Sequence, residues 1–165
     1  MEPTPGFPIT SITSALKNHF VKKINEQEIS LKDFTVSTDH PNNIIDQEHP
    51  CLNLYPFQVN VVPDFKNTIH SDGPDSSMPV KIQFLVSATG DHIKLFPHVL
   101  IDCAIKAVFE RPILEIDEYN SMLRISLVPM NTEELATIWT ALKCSHKVSI
   151  VLSVDIANKG SKESS

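Results

Sequence analysis

Residues 123–156 read LRISLVPMNTEELATIWTALKCSHKVSIVLSVDI, and this stretch decides the fold class. The apolar run 123–128 predicts a strand, and the alternating run 148–156 predicts a second one. Between them Asn131 precedes a helical pattern, with Glu134 three residues later, which is the spacing of a capping box. The stretch therefore predicts a strand, a capped helix and a returning strand.

The returning strand has two different faces. One set of alternating side chains is predicted to lie in the core, namely Val148, Ile150, Leu152, Val154 and Ile156. We expect the outward side to meet water or another subunit. The outward set and the preceding lysine form the predicted partner interface: Lys147, Ser149, Val151, Ser153 and Asp155.

The only tryptophan, Trp139, lies on the helix between the two strands. Tryptophan is enriched among the residues that anchor protein interfaces, which is one reading of this position. The helical spacing, however, places Trp139 in one apolar stripe with Leu135, Ile138 and Leu142. The stripe favours a core position of Trp139 against the sheet.

Two further segments have helical periodicity. The apolar residues of the first recur at spacings of three and four and predict a helix over residues 9–25. The second pattern predicts a helix over 93–108, with Pro97 tolerated near its first turn. The apolar face of this second helix is formed by Ile93, Phe96, Leu100, Ile101, Ala104, Ile105 and Val108.

Three more segments predict strands, over residues 31–37, 52–62 and 80–88. In the second of them the apolar parity shifts around Pro56, which requires a bulge or an edge position. The whole pattern predicts an α+β fold with a mixed or antiparallel sheet of about four to five strands, flanked by two to three helices.

The length and composition predict one domain. A chain of 165 residues with 41% hydrophobic content suits a single core. We expect an extended N-terminal arm over 1–8, which holds three prolines, one domain over 9–157 and a flexible tail over 158–165. The polar stretch 66–79 predicts a mobile hairpin loop.

Charge and cysteine usage narrow the possible partners and compartment. The chain has 20 acidic and 14 basic residues and a net charge of -6, which argues against a nucleic-acid backbone as partner. The three cysteines have no CxxC spacing, which is typical of a reducing compartment. No stretch is apolar enough for a membrane span, so we expect cytoplasmic assembly.

Few residues have the spacing of a catalytic or cofactor site. His98, Asp102 and Cys103 lie close in sequence, and a cysteine-dependent hydrolase would need an accessible Cys103 thiol with a lowered pKa. The histidines show no metal-binding spacing, and four glycines in the chain form no phosphate-binding loop. We expect no cofactor, no metal and no catalytic residues.

Several short motifs of the chain occur in a recognisable order and spacing. They are Ile12-Thr-Ser-Ala-Leu, Leu52-Asn-Leu-Tyr, Pro79-Val80 with Phe84-Leu85-Val86, residues 123–129, Glu133-Glu134-Leu135, Trp139-Thr-Ala-Leu and Val148-Ser149-Ile150-Val151. Together they resemble the tube-terminating cap proteins of extracellular contractile injection systems. The resemblance extends over residues 9–157 and is most specific in the C-terminal block.

This resemblance implies a role similar to that of phage tail terminators. It implies a ring, expected to be hexameric, that sits on the end of an inner tube and sheath and stops their growth. It also implies strand addition to a sheath subunit, for which residues 148–157 and 1–8 are the candidates. The alternatives are a phage head–tail connector or baseplate subunit, the small hydrolase, and a chaperone or immunity protein.

Overall fold

The computed structural model describes residues 9–27, 33–44, 49–61, 80–117 and 121–158. The predicted arm, the hairpin loop and the tail beyond Asn158 lie outside these ranges. The helices are α1 (Ile9–Asn25), α2 (Phe96–Glu110) and α3 (Thr132–Ala141). The strands are β1 (Thr35–Ser37), β2 (Cys51–Val61), β3 (Val80–Thr89), β4 (Ile113–Ile116), β5 (Ser121–Val128) and β6 (Ser149–Asn158).

The described strands form one mixed sheet in the order β1-β2-β3-β6-β5-β4. β1 is parallel to β2, and the other neighbouring pairs are antiparallel. The predicted α+β class is confirmed, although the six strands exceed the four to five expected. The additional strand is β4, a segment after α2 for which no strand was predicted and which pairs with β5.

The predicted irregularity in β2 is a register shift between Pro56 and Gln58. Leu54 before the shift and Val59 after it both oppose residues of β3 that are fully buried. The extra residue of the bulge therefore compensates for the parity change and keeps both apolar stretches on one face. The predicted bulge is confirmed.

The main hydrophobic core lies between the sheet and the helices α1 and α2. α1 begins and ends where the periodicity predicts, and its apolar stripe is fully buried. Burial of each such side chain stabilises the fold by about 1.5–3 kcal/mol. The core side predicted for β6 is confirmed, because its residues belong to this cluster. The α1 stripe consists of Ile12, Leu16, Phe20 and Ile24.

The start of α2 differs from the prediction. Leu95 has a left-handed backbone with a φ of 57°, and the helix begins only after it, at Phe96. Ile93 therefore precedes the helix and is 94% exposed, so its predicted place on the helical core face is wrong. Pro97 lies in the first turn, as predicted, where a backbone N–H has no intrahelical acceptor to lose.

The helix α3 covers the opposite face of the sheet. Trp139 is 2% exposed and packs with Leu85 of β3 and Val151 of β6 in a second hydrophobic cluster. The core position predicted for Trp139 is confirmed. Because α3 occupies this side, the expectation that the outward side of β6 meets water or another subunit is wrong for Val151, which is 1% exposed.

The capping box of α3 is present as predicted. The Glu134 backbone N–H donates to Asn131 Oδ1 at 2.8 Å, and the Asn131 backbone N–H donates to Glu134 Oε2 at 3.0 Å. Each bond satisfies a donor that would otherwise have no intrahelical acceptor. This pair fixes where α3 begins and, with it, where Trp139 meets the sheet.

Replacing Asn131 with alanine is expected to lower the free energy of unfolding by about 1 kcal/mol, because one helix-terminal N–H loses its acceptor. Urea unfolding followed by circular dichroism measures this change. Asn131→Ser, which preserves a capping oxygen, serves as the control and is expected to lose much less. An Asn131→Ala midpoint equal to that of the parent chain contradicts the prediction.

Candidate assembly surfaces

The loop between α3 and β6 folds over Trp139. The His146 ring stacks on the indole with ring centroids 5.9 Å apart, and Lys147 Nζ lies 5.4 Å from the indole centroid. The indole N–H of Trp139 donates to Ser149 Oγ at 3.1 Å. Two of the predicted interface residues, Lys147 and Ser149, thus hold Trp139 in place, and the cation–π contact contributes about 0.5–1 kcal/mol at an exposed site.

The other three predicted interface residues lie further along β6. Val151 is covered by α3, and Ser153 is 5% exposed. Asp155 is half-exposed and forms an ion pair with Lys81 at 3.7 Å. Burial thus removes Val151 and Ser153 from the accessible surface, and a partner contact through Lys147, Ser149 and Asp155 stays a prediction.

Beyond α3, this face of the sheet is charged. The strand register aligns Lys81, Asp155 and Arg124 side by side across β3, β6 and β5, and we call these residues the charged row. Their charges alternate in sign. An exposed ion pair such as Lys81–Asp155 adds at most about 1 kcal/mol to stability. The charged row is thus more significant as an accessible polar surface than as a source of stability.

The position of β6 limits it as an acceptor of an added strand. β6 lies between β3 and β5, and its residues 151–155 are paired on both edges. Strand addition along the whole of residues 148–157, which the resemblance implied, is therefore wrong for this fold, because the middle of β6 has no unpaired edge. Within the described ranges, the outer edges of the sheet belong to β1, to β4, to the part of β2 after Asn53, which β1 does not reach, and to the part of β5 after Ile125, which β4 does not reach.

The residues of the hydrolase hypothesis do not form a catalytic group. Cys103 is 3% exposed, and burial raises the pKa of its thiol, with a further increase from the negative charge of Asp102. A nucleophilic cysteine needs the opposite shift. His98 is exposed and lies five positions earlier on α2, which places it on a different side of the helix from Cys103. The arrangement gives the hydrolase no support.

The described part of the chain contains no group of three or more His, Cys, Asp or Glu side chains placed to hold a metal ion. None of its helices combines the length and the apolar character that crossing a bilayer requires.

A buried histidine lies between α1 and α2. His19 is 8% exposed, and its Nε2 has no hydrogen-bond partner among the described residues. Burial lowers the pKa of His19, the positive charges of Lys23, Arg111 and Lys22 lower it further, and the Ala107 backbone opposes the shift. The imidazole is therefore held in its neutral form at the helix interface.

Acidification is expected to destabilise the fold through His19. Above pH 6.5, the ordinary histidine pKa, the imidazole is neutral in both the folded and unfolded states. Below that value the unfolded chain binds the proton first, so stability falls until the lower folded-state pKa is reached. Denaturant unfolding across this range should show a smaller loss for His19→Gln than for the parent chain. Parallel pH profiles for the two proteins contradict the prediction.

The sequence patterns missed two surface features. The first is a turn over residues 91–95 that exposes Ile93 and Leu95, and we call these two residues with Lys94 the apolar tip. The second is a groove of about 590 Å³ between α1 and the end of β4, which we call the α1–β4 groove. Its lining includes Thr10, Ser14, Ala15, Glu115, Ile116 and Asp117. The available signal for the tip was Leu95, an apolar residue that falls outside the predicted helical face.

The fold of this chain is similar to the folds of two solved proteins. Its structure superimposes on the PVC sheath/tube terminator of an extracellular contractile injection system, in the extended state, with a TM-score of 0.66. That alignment has 13% sequence identity and covers 96% of this chain and 60% of the other. The anti-feeding prophage cap, a tube-terminating cap, matches with a TM-score of 0.62, 12% identity and coverage of 90% and 54%.

The family assignment comes from the sequence. Residues 10–165 match the model of the Pvc16 N-terminal domain, so the chain belongs to this family. The resemblance seen in the sequence motifs is thereby confirmed. The chain spans little more than half the length of the two terminators that it superimposes on. No curated protein matches it in sequence.

Proposed function

We propose that this protein is a structural terminator of a contractile injection system, which caps the inner tube and sheath and ends their polymerisation. The observation that carries this proposal is the family match over residues 10–165. Two proteins described as a sheath/tube terminator and a tube-terminating cap have the same fold, which supports it. The partners are then tube and sheath subunits, and the protein acts by binding rather than by catalysis.

The proposed state of the cap is a closed homo-oligomeric ring, with a hexamer as the expected form, built in the cytoplasm on the growing particle. We further propose that residues 9–157 act as one domain of this ring. A ring needs two different complementary surfaces on each subunit, because identical patches pair two subunits and then stop. The accessible sheet edges, the charged row and the apolar tip are the available surfaces.

The predicted partner contact on the outward side of β6 is proposed here for the accessible residues alone. We propose that Asp155, with its neighbours in the charged row, contacts a tube or sheath subunit. The carboxylate is half-exposed and flanked by two cations, so its removal changes the surface without opening the core. Lys147 and Ser149 lie at the border of the same surface, next to Trp139.

Deletion of the gene, followed by electron microscopy of the particles, tests the proposed function. Loss of a terminator is expected to give tubes or sheaths of uncontrolled length, and the wild-type gene supplied in trans should restore a uniform length. If the protein were a baseplate subunit, we would expect its loss to prevent tube assembly, and if it were a head–tail connector, we would expect particle length to stay controlled. Particles of normal length and number in the deletion strain contradict the proposal.

The charged-row contact is tested by complementation with Asp155→Lys. A broader length distribution than with the wild-type gene is expected, because the charge reversal replaces the alternating charges of the charged row with three adjacent cations and so changes the contacted surface. Asp102→Lys makes the same charge change on an exposed position of α2 and is the matched control. Equal length distributions for the two variants remove Asp155 from the proposed interface.

A further inference from the structure

The apolar tip is held rigidly. Asp91 Oδ1 accepts hydrogen bonds from the backbone N–H groups of Ile93 at 2.9 Å and Lys94 at 3.4 Å. The Phe96 N–H donates to the Asp91 carbonyl at 3.2 Å and closes the turn. Ile93 is 94% exposed and Leu95 is 56% exposed, so the turn presents two aliphatic side chains to solvent in a defined geometry.

This geometry is unfavourable for an isolated subunit. Leu95 has a φ of 57°, a left-handed conformation that glycine and asparagine adopt more readily than leucine does. Single exposed apolar residues are ordinary, but here two of them occur in one turn, one of them on a strained backbone. A polar residue at either position would cost the subunit less, which points to a contact that covers the tip.

The α1–β4 groove has properties that suit the tip. Its volume of about 590 Å³ accommodates a few side chains, and Ala15 and Ile116 give it apolar walls. Glu115 and Asp117 place two carboxylates beside these walls. The tip carries a complementary charge, because Lys94 lies between its two aliphatic residues.

The tip and the groove lie at opposite ends of the sheet. The tip follows the end of β3 at Thr89, near the start of β6, since Ser87 pairs with Ser149. The groove borders Ile116, which pairs with Ser121, and Ser121 in turn pairs with Asn158 at the end of β6. A strand of ten residues spans roughly 30 Å. The two surfaces are therefore too far apart to meet within one subunit.

A second groove of about 480 Å³ lies between α1 and β1, lined in part by Val21, Phe34 and His49. It is close to the tip of its own subunit, because His49 precedes Pro50, and Pro50 lies against Gly90 just before the tip. When the tip and the groove lie at the same end of a subunit, two copies can insert into each other, which gives a two-fold dimer rather than a chain of subunits. The α1–β4 groove is the better match in position and in charge.

We propose that the apolar tip of one copy of this chain seats in the α1–β4 groove of the next copy, with Ile93 and Leu95 against its apolar walls and Lys94 beside Glu115 and Asp117. The contact is head-to-tail, so it generates a ring when the rotation closes. The inference rests on the proposed terminator function only in identifying that ring as the cap of a tube and sheath. The contact itself can be measured on the purified protein.

Light scattering after size-exclusion chromatography of the full chain measures the contact. The wild-type chain is expected to have a multiple of the monomer mass, and Lys94→Glu is expected to be monomeric. Combining Lys94→Glu with Glu115→Lys and Asp117→Lys should restore the larger mass, because the charges are exchanged across the contact. Lys106→Glu makes the same charge change on an exposed position of α2 and should leave the mass unchanged.

Loss of folding is separated from loss of contact by Leu95→Asn. Asparagine tolerates the left-handed backbone, so this variant is expected to melt at the same temperature as the wild type or higher while forming fewer oligomers. Mixed Ile93→Cys and Ala15→Cys copies give a second readout, an intermolecular disulfide between positions 93 and 15 that is identified by mass spectrometry of the joined peptides. A monomeric wild-type chain, an oligomeric Lys94→Glu chain, or no disulfide in the mixture overturns the proposed contact.

The outcomes also separate this contact from the proposed function. If Lys94→Glu is monomeric and the charge exchange restores the oligomer, the contact holds even when the deletion strain makes particles of normal length. In that case the proposed terminator function is contradicted, and the tip–groove contact is not. If the deletion strain loses length control but Lys94→Glu remains oligomeric, the function holds and the tip–groove contact fails.

Discussion

Replacing Trp139 with alanine is expected to lower the free energy of unfolding by about 3–5 kcal/mol, the range for truncation of a large buried aromatic side chain. Trp139 is 2% exposed and lies between α3 and the sheet, against Leu85 and Val151. Its removal empties the centre of the smaller of the two hydrophobic clusters and releases the loop that carries His146. Guanidinium unfolding followed by circular dichroism measures the loss.

Two control variants separate packing from hydrogen bonding. Trp139→Phe keeps a ring between α3 and the sheet and is expected to lose less stability than Trp139→Ala. Ser149→Ala leaves the indole N–H without its 3.1 Å acceptor and should cost about 1–3 kcal/mol. If Trp139→Ala is as stable as the parent chain, the tryptophan is not a core residue.

Proline at position 152 is expected to be more damaging than any single truncation in β6. Leu152 is fully buried and pairs with Phe84 on one side and Leu127 on the other. Truncation of a buried leucine to alanine costs about 2–5 kcal/mol, and proline adds the loss of a ladder hydrogen bond in a central strand. We expect Leu152→Pro to be largely unfolded under conditions in which Leu152→Ala is folded.

The matched variant on an edge strand is Ile113→Pro. Pro112 O accepts from the Ile125 N–H at 2.7 Å, so the alternation of the antiparallel ladder turns the Ile113 N–H away from β5. Proline at this position removes no ladder bond, and a much smaller loss of stability is expected. Equal stability of Leu152→Pro and Leu152→Ala contradicts the central position of β6.

The sequence predicted the positions of helices and strands well where they depend on residues close together in the chain. The α1 periodicity defined a helix over residues 9–25, and Asn131 with Glu134 defined the start of α3. Each depends on contacts between residues three or four apart. Ile93 shows where such reasoning failed, because its spacing suited a helical face. In the structure, the Asp91 side chain and the left-handed Leu95 hold residues 91–95 in a turn, and α2 begins only after it.

The candidate surfaces were less predictable than the fold. Lys147, Ser149 and Asp155 are accessible or partly accessible, but Val151 and Ser153 are buried. An alternating strand with Val151 among polar neighbours resembles a solvent-facing side, and only the position of α3 reveals that it is covered. The α1–β4 groove combines segments that are distant in sequence, so no local pattern could assign it to a surface.

The sequence by itself determined the α+β class, the order of its main elements, the core side of β6 and the family, because periodicity, capping and motif spacing are local properties of the chain. Only the tertiary structure decided that β6 is central, that α3 and Trp139 cover its other side, and that the open edges lie elsewhere. The physical reason is that a strand has two edges and two faces of similar chemistry. Their neighbours are selected by the packing of the whole domain, in which Trp139 of α3 buries Val151 although the polar neighbours of Val151 along β6 suggest exposure.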